Sequence, residues 1–345
     1  MKRVFSIILA IVLVLGSVPM YASAATKKPL SKSAGIEALR NQFQSGVAPK
    51  TNGYALDYEY YSPAGKIDNK KYPLVIFLHG IGHGGSVGSQ LADSDMPYWT
   101  SSELQSRFSE GGAYILLPRA PENKNDFWGE SLIEPLRALI DDFIKNNKNV
   151  DTTRIAITGS SQGGAMVWNM LNAYPEYFAT AFPLASTKSP SDSILKNCSK
   201  TAIWILASKK DPVINYELST MSVWRDICKL NNRPENCRLS TFGTVYNPDG
   251  TKSSDNHHLA KVITYDLHTL DDGLYPNMTT VNGKGKTLDL TSPRGLIKWI
   301  SSIHSDFDGQ TESGSVIVNP AMKIVETLRN VLLQIVHIFQ KILGL

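Results

Sequence analysis

The chain has 345 residues, 42% of them hydrophobic and 19% charged, with a formal net charge of +4. That balance excludes a disordered or low-complexity polymer and gives enough chain for one large α/β domain or two small ones. Two of the positive charges, Lys2 and Arg3, stand in a 24-residue leader without acids; the remaining chain carries only +2, so nothing argues for a nucleic-acid partner.

In chain order, the first element is an export signal. Lys2 and Arg3 precede an apolar run from Val4 to Gly16, and Ala22-Ser23-Ala24 supplies the small residues a signal peptidase needs. The run is short for a membrane span. The expectation is cleavage after Ala24 and a secreted, extracellular protein, with retention at the cell surface left open. Residues 25–35, rich in Lys, Ser and Thr, read as a flexible lead-in, and a catalytic domain is expected over 25–304.

Leu56–Ser62 alternates with aromatics and reads as an early strand. Pro73–Leu78 is too apolar for a half-exposed strand, which places it centrally in a sheet covered on both faces. It runs into His79-Gly80-Ile81-Gly82, a loop whose glycines allow close backbone approach; His79 is read as packing against this loop and hydrogen-bonding it. Ser102–Ser109 reads as a short helix and Ala113–Pro118 as the next buried strand. Ser131–Asn146 has helical spacing, with Ser131 as a candidate cap. Trp99 and Trp128, with Tyr98 and Phe127, either line an aromatic cleft or pack in the core.

Ile155–Ile157 is a short buried strand. It breaks into Gly159-Ser160-Ser161-Gln162-Gly163 and then into a helical run from Ala165 to Leu171. Strand, tight turn and helix are the context in which G-x-S-x-G raises a serine hydroxyl on a strained apex, so Ser161 is the candidate nucleophile. A serine hydroxyl needs a base within hydrogen-bond reach and an acid to orient that base. Ala179–Ala185 and Ala202–Ala207 are further strands, and the loop after the second carries Asp211, the candidate acid. Glu217–Leu230 reads as a helix and Cys237–Phe242 as a strand. The long loop after it delivers His257 and His258. Adjacent side chains diverge, so one of the two is expected to face Ser161, with His257 preferred, His258 next and His268 a distant third. Backbone N–H donors for an oxyanion are expected from Gln162, at the start of a helix whose dipole assists, and from Ile81 or its neighbour Gly82. Gly295–Ile303 closes the domain as a helix.

Strands alternating with helices imply a mainly parallel central sheet with helices on both faces. Ligands bind such sheets at the carboxyl ends of the strands, where loops 79–85, 159–164 and 208–214 leave. Cys198, Cys228 and Cys237 are an odd set for a disulfide framework. Cys228 and Cys237 are close enough in sequence to bridge a helix end to a strand start, or to remain buried thiols. No Cys/His spacing resembles a zinc site, and no metal or organic cofactor is expected.

The segments Pro73–Gly82, Arg154–Gly164 and Ser208–Pro212 resemble the α/β-hydrolase superfamily. More narrowly they are similar to its secreted esterase and prolyl-oligopeptidase-like "predicted peptidase" branch, which includes feruloyl esterases and polyhydroxybutyrate depolymerases. The resemblance covers about residues 50–305 and implies an α/β-hydrolase fold. The relatives commonly hold their histidine in a Gly-His-x-x-Trp context, whereas this chain has Asn256-His-His-Leu-Ala260, followed by a segment from Asp271 to Leu290 that reads as an inserted hairpin.

Residues 305–320 read as a polar linker. Beyond it Ile324, Leu328, Val331, Ile335, Ile338, Ile342 and Leu345 recur at alternating steps of four and three, an amphipathic helix over 321–345. Docking on its own domain, self-association and contact with a membrane surface are three open readings of it. The function expected from the whole is an exported serine hydrolase acting on small-molecule or polymer esters. The alternatives are a peptidase using the same triad and a non-catalytic surface-associated protein that has kept the fold.

Overall fold

In the computed structural model the described residues are 34–82, 84, 90–92, 96–121, 128–242, 258, 279–288 and 295–305. They all belong to the unit Lys32–Leu345; the other unit, Met1–Ser31, lies outside the described residues, as do the signal segment, residues 306–320 of the linker and the helix expected at 321–345.

The chain begins with helix α1 (Ala34–Arg40) and strand β1 (Gln44–Val47). β2 (Asp57–Tyr61), β3 (Tyr72–Leu78), the short helix α2 (Ser102–Gln105) and β4 (Tyr114–Pro118) follow. Next come α3 (Ile133–Asn146), β5 (Val150–Ser160), α4 (Gln162–Ala173), β6 (Thr180–Leu184), α5 (Asp192–Asn197) and β7 (Ala202–Ser208). The described chain ends with α6 (Ser222–Leu230), β8 (Arg238–Phe242), β9 (Thr279–Asn282) and α7 (Leu296–Ser302).

The nine strands of the described residues form one sheet in the order β1-β2-β4-β3-β5-β6-β7-β8-β9. The six from β4 to β8 are parallel; β2 joins β4, and β9 joins β8, antiparallel. This is the α/β-hydrolase architecture. β3 shows why the sequence demands it: all seven of its residues are buried. Successive side chains point to opposite faces of a strand. Leu74, Ile76 and Leu78 pack with α3, α4 and α6 in one core, and Val75 and Phe77 pack with α2 and α7 in the other. Each such burial stabilises by about 1.5–3 kcal/mol relative to exposure.

Several expectations need correction. Ser131 does not cap the long helix. It lies within a 3-10 turn, Glu130–Leu132, that feeds α3. Glu217–Leu230 is a π-helical turn (Tyr216–Met221) leading into α6, rather than one regular helix. β5 is much longer than its apolar run, because half-buried Asp151–Thr153 extend it and Val150 pairs with Tyr72. From the hairpin expected at 271–290, the described part is β9, which turns back through a bridge between Val281 and Thr287.

Cys228 and Cys237 do not bridge; all three cysteines are free thiols. Burial pushes the thiols of Cys198 and Cys237 up to about 12. At pH 8, Ellman's reagent is therefore expected to react in the native protein with half-buried Cys228 at most, and with all three thiols after denaturation. Rapid native labelling of Cys198 or Cys237 would contradict their burial.

Candidate active site

The elbow is built by close approach. An added Cβ at Gly163 would stand 2.0 Å from the carbonyl oxygen of Leu78, and one at Gly159 would stand 2.6 Å from the carbonyl carbon of Gly163. Side chains at either position would push α4 off β3 and β5. Between these glycines Ser161 holds φ 54° and ψ −113°, a conformation that a non-glycine residue adopts only when its surroundings impose it. They do so here through the backbone. The Ser161 N–H donates to Leu184 O at 2.9 Å, and Ser161 O accepts from the N–H groups of Ala165 and Thr187 at 3.1 and 3.2 Å.

Asp211 follows the carboxyl end of β7, and its side chain is 3% exposed. One carboxylate oxygen, Oδ1, accepts from the backbone N–H groups of Val213 and Ile214 at 2.8 and 2.9 Å. The other, Oδ2, is 2.9 Å from Nδ1 of His258. With Nδ1–H donating to that carboxylate, Nε2 is left as an acceptor, and it lies 3.1 Å from Ser161 Oγ. The three side chains thus form a hydrogen-bonded chain from carboxylate to imidazole to hydroxyl. His257, preferred on sequence grounds, lies outside the described residues, as does His268; the ring bonded at both ends is that of His258.

Of the candidate oxyanion donors, Gln162 directly follows the apex, and Ile81 and Gly82 follow Gly80. Gln162 is the first residue of α4. Gly80 backs onto the elbow, since a Cβ there would lie 3.6 Å from Ser161 Cβ. Ile81 is 57% exposed, and Gly82 holds φ +90°. No backbone hydrogen bond between described residues uses the N–H of Ile81, Gly82 or Gln162. Buried His79 donates from Nδ1 to Gly80 O at 2.7 Å, and its Nε2 accepts from the Ala120 N–H at 3.1 Å. Trp128 packs on that ring with centroids 5.0 Å apart, and Trp99 is buried in the core, so both tryptophans are packing residues; Phe127 and the side chain of Tyr98 lie outside the described set. The groups that hold Asp211 and Ser161 in place, the N–H donors of Val213, Ile214 and Thr187, could not be read from sequence, because a backbone amide carries no residue signature.

Comparison with known proteins agrees with this construction. The phospholipase/carboxylesterase family model matches residues 65–265, more than half of the chain. The chain belongs to the phospholipase/carboxylesterase family. Membership places it in the α/β-hydrolase superfamily, in agreement with the sheet described above. A solved thermostable esterase is 22% identical with a TM-score of 0.56, over 70% of this chain and 64% of its own. The chain thus spans just under two thirds of that protein, and the likeness shows the shared fold. An acylaminoacyl peptidase from Pyrococcus horikoshii is 18% identical with a TM-score of 0.40, over 55% of this chain and 35% of its own. A ferulic acid esterase from Anaeromyces mucronatus is 18% identical with a TM-score of 0.43, over 55% and 79% respectively. No curated protein matches the chain by comparison.

Proposed function

We propose that this family member is an exported carboxylic-ester hydrolase that works through an acyl-enzyme. One observation carries the reading: His258 lies 2.9 Å from Asp211 Oδ2 and 3.1 Å from Ser161 Oγ, within hydrogen-bond reach of both. Export is supported by the leader Lys2–Ala24.

Ser161 Oγ attacks the ester carbonyl carbon while its proton passes to Nε2 of His258. Asp211 holds the ring in the Nδ1–H tautomer and stabilises the imidazolium that forms. The carbonyl oxygen becomes an oxyanion, for which Gln162 and Ile81, or its neighbour Gly82, supply N–H donors. As the C–O bond breaks, Nε2 returns the proton to the departing alkoxide, leaving alcohol and an acylated Ser161. Water then attacks the acyl-enzyme with the same base, releasing the acid and restoring the hydroxyl.

A fluorophosphonate probe is expected to label the protein at Ser161, and Ser161→Ala to abolish labelling. In parallel, a p-nitrophenyl ester is expected to be cleaved in preference to a peptide p-nitroanilide. Preferred amide cleavage would make the chain a peptidase, and an unlabelled, inert wild type would leave a non-catalytic protein on this fold.

A further inference from the structure

Two loops at the amino ends of the central strands form one surface that the mechanism does not use. The loop before β3 is a tight turn: the Lys70 N–H donates to Ile67 O at 3.1 Å, and Asn69 holds φ 66°. The Ile67 N–H donates to the Tyr72 hydroxyl at 3.1 Å. From the loop between α3 and β5, Asn149 Nδ2 donates to Ile67 O and Lys70 O at 3.0 and 2.8 Å. In return, Lys71 Nζ donates to Lys148 O at 2.7 Å. Both backbone groups of Ile67 are thus tied down, yet the residue is 61% exposed.

The same surface is basic. Lys66, Lys71, Lys145 and Lys148 are exposed and Lys70 is half-buried. Lys66 and Lys70 lie over the rings of Tyr114 and Tyr72, 5.9 and 5.5 Å from the centroids, at the starts of β4 and β3. Among the described residues no ion pair involves any of these lysines, whereas Lys200 and Lys284 pair with Glu176 and Glu235. The carboxylates on the facing turn of α3 are engaged elsewhere: Asp141 accepts from Arg137 and Tyr177, and Asp142 from Asn146. Asp68 is the one acid within the two loops.

We propose that this face is a docking surface for an anionic lipid bilayer, with the lysines among the headgroups and Ile67 inserted between them. A soluble polyanion would be drawn to the lysines but would gain nothing from Ile67, whereas a bilayer interface rewards both. The orientation follows from the sheet. β3, β4 and β5 run parallel, so the loops carrying Ser161 and the candidate oxyanion donors leave their opposite ends. Docking here would hold that end about 20 Å from the bilayer, one strand length away, and open to solvent. The inference uses no residue of the triad and stands apart from the hydrolase reading.

The test is co-sedimentation of the full chain with vesicles of phosphatidylcholine alone and of phosphatidylcholine and phosphatidylglycerol in equal parts. The variants are Lys66→Gln, Lys148→Gln, the pair together and Ile67→Asn, each checked for folding by circular dichroism. All lie on exposed positions, and every other segment contributes equally to wild type and variant. Preference for the anionic vesicles is expected to fall about five-fold for each lysine removed and about 25-fold for the pair. Binding of Ile67→Asn to the anionic vesicles should fall about ten-fold. Salt at about 1 M, where the screening length is about 3 Å, should erase the lysine contribution. An anionic preference unchanged in the double lysine variant would overturn the proposal. Loss in the lysine variants with none in Ile67→Asn would also overturn it, and would point to a soluble polyanion instead.

Discussion

Ser161→Ala is expected to lower kcat on an ester by about a million-fold, and His258→Ala by nearly as much. Both act on the same event. Without Oγ no acyl-enzyme forms, and without Nε2, 3.1 Å from Oγ, nothing takes its proton. The double variant should therefore be little worse than either single one, since residues acting as a unit are far from additive. Asp211→Asn keeps the shape but presents an amide where Oδ2 now faces Nδ1, favouring the tautomer with its proton on the wrong nitrogen. A fall of about 10⁴ is expected there. Steady-state kinetics on all four variants, each checked for folding by circular dichroism, decides the matter. Retention of most activity in His258→Ala would remove this ring from the mechanism and return attention to its neighbour His257.

The second large effect is on stability. Gly163→Ala places a methyl 2.0 Å from Leu78 O and 2.7 Å from His79 O, both backbone atoms with little freedom to retreat. Overpacking of this severity should cost about 3 kcal/mol or more. That corresponds to a fall in Tm of roughly 6–12 °C. Gly111→Ala is the control, because Gly111 has φ +77° but nothing within 4 Å of an added Cβ. It should pay only the backbone strain, about 1–2 kcal/mol. Equal shifts in the two variants would mean that α4 is not seated against β3 as tightly as Gly163 implies.

The elbow was legible in the sequence because its requirement is local: an apolar strand, glycines at the contact points and a helix former after the turn. Asp211 was legible because a buried strand, Ala202–Ser208, ends three residues before it. The choice between His257 and His258 was not, since it depends on which side of a long loop meets Asp211. β1 is not marked in the sequence because its four polar or mixed residues, Gln44–Val47, carry no clear alternation, and β9, Thr279–Asn282, is marked only as part of the hairpin expected at 271–290. They are recruited by the neighbours they pair with. The polar start of β5 is a strand for the same reason, and the π-helical turn at Tyr216–Met221 has no period that side-chain pattern could reveal.

Among the described residues the sheet is bordered on each side by a four-residue antiparallel strand, β1 at one margin and β9 at the other. Each margin is only about 13 Å of backbone at the usual rise per residue. A second molecule aligning there would gain a rung or two of ladder for all the rotational and translational freedom it gives up. So wide a stack of apolar strands would otherwise invite copies to add on sideways. Here the terminal strands are too brief to serve as templates, and concentrated solutions of the folded protein should be spared fibrillar growth through these borders.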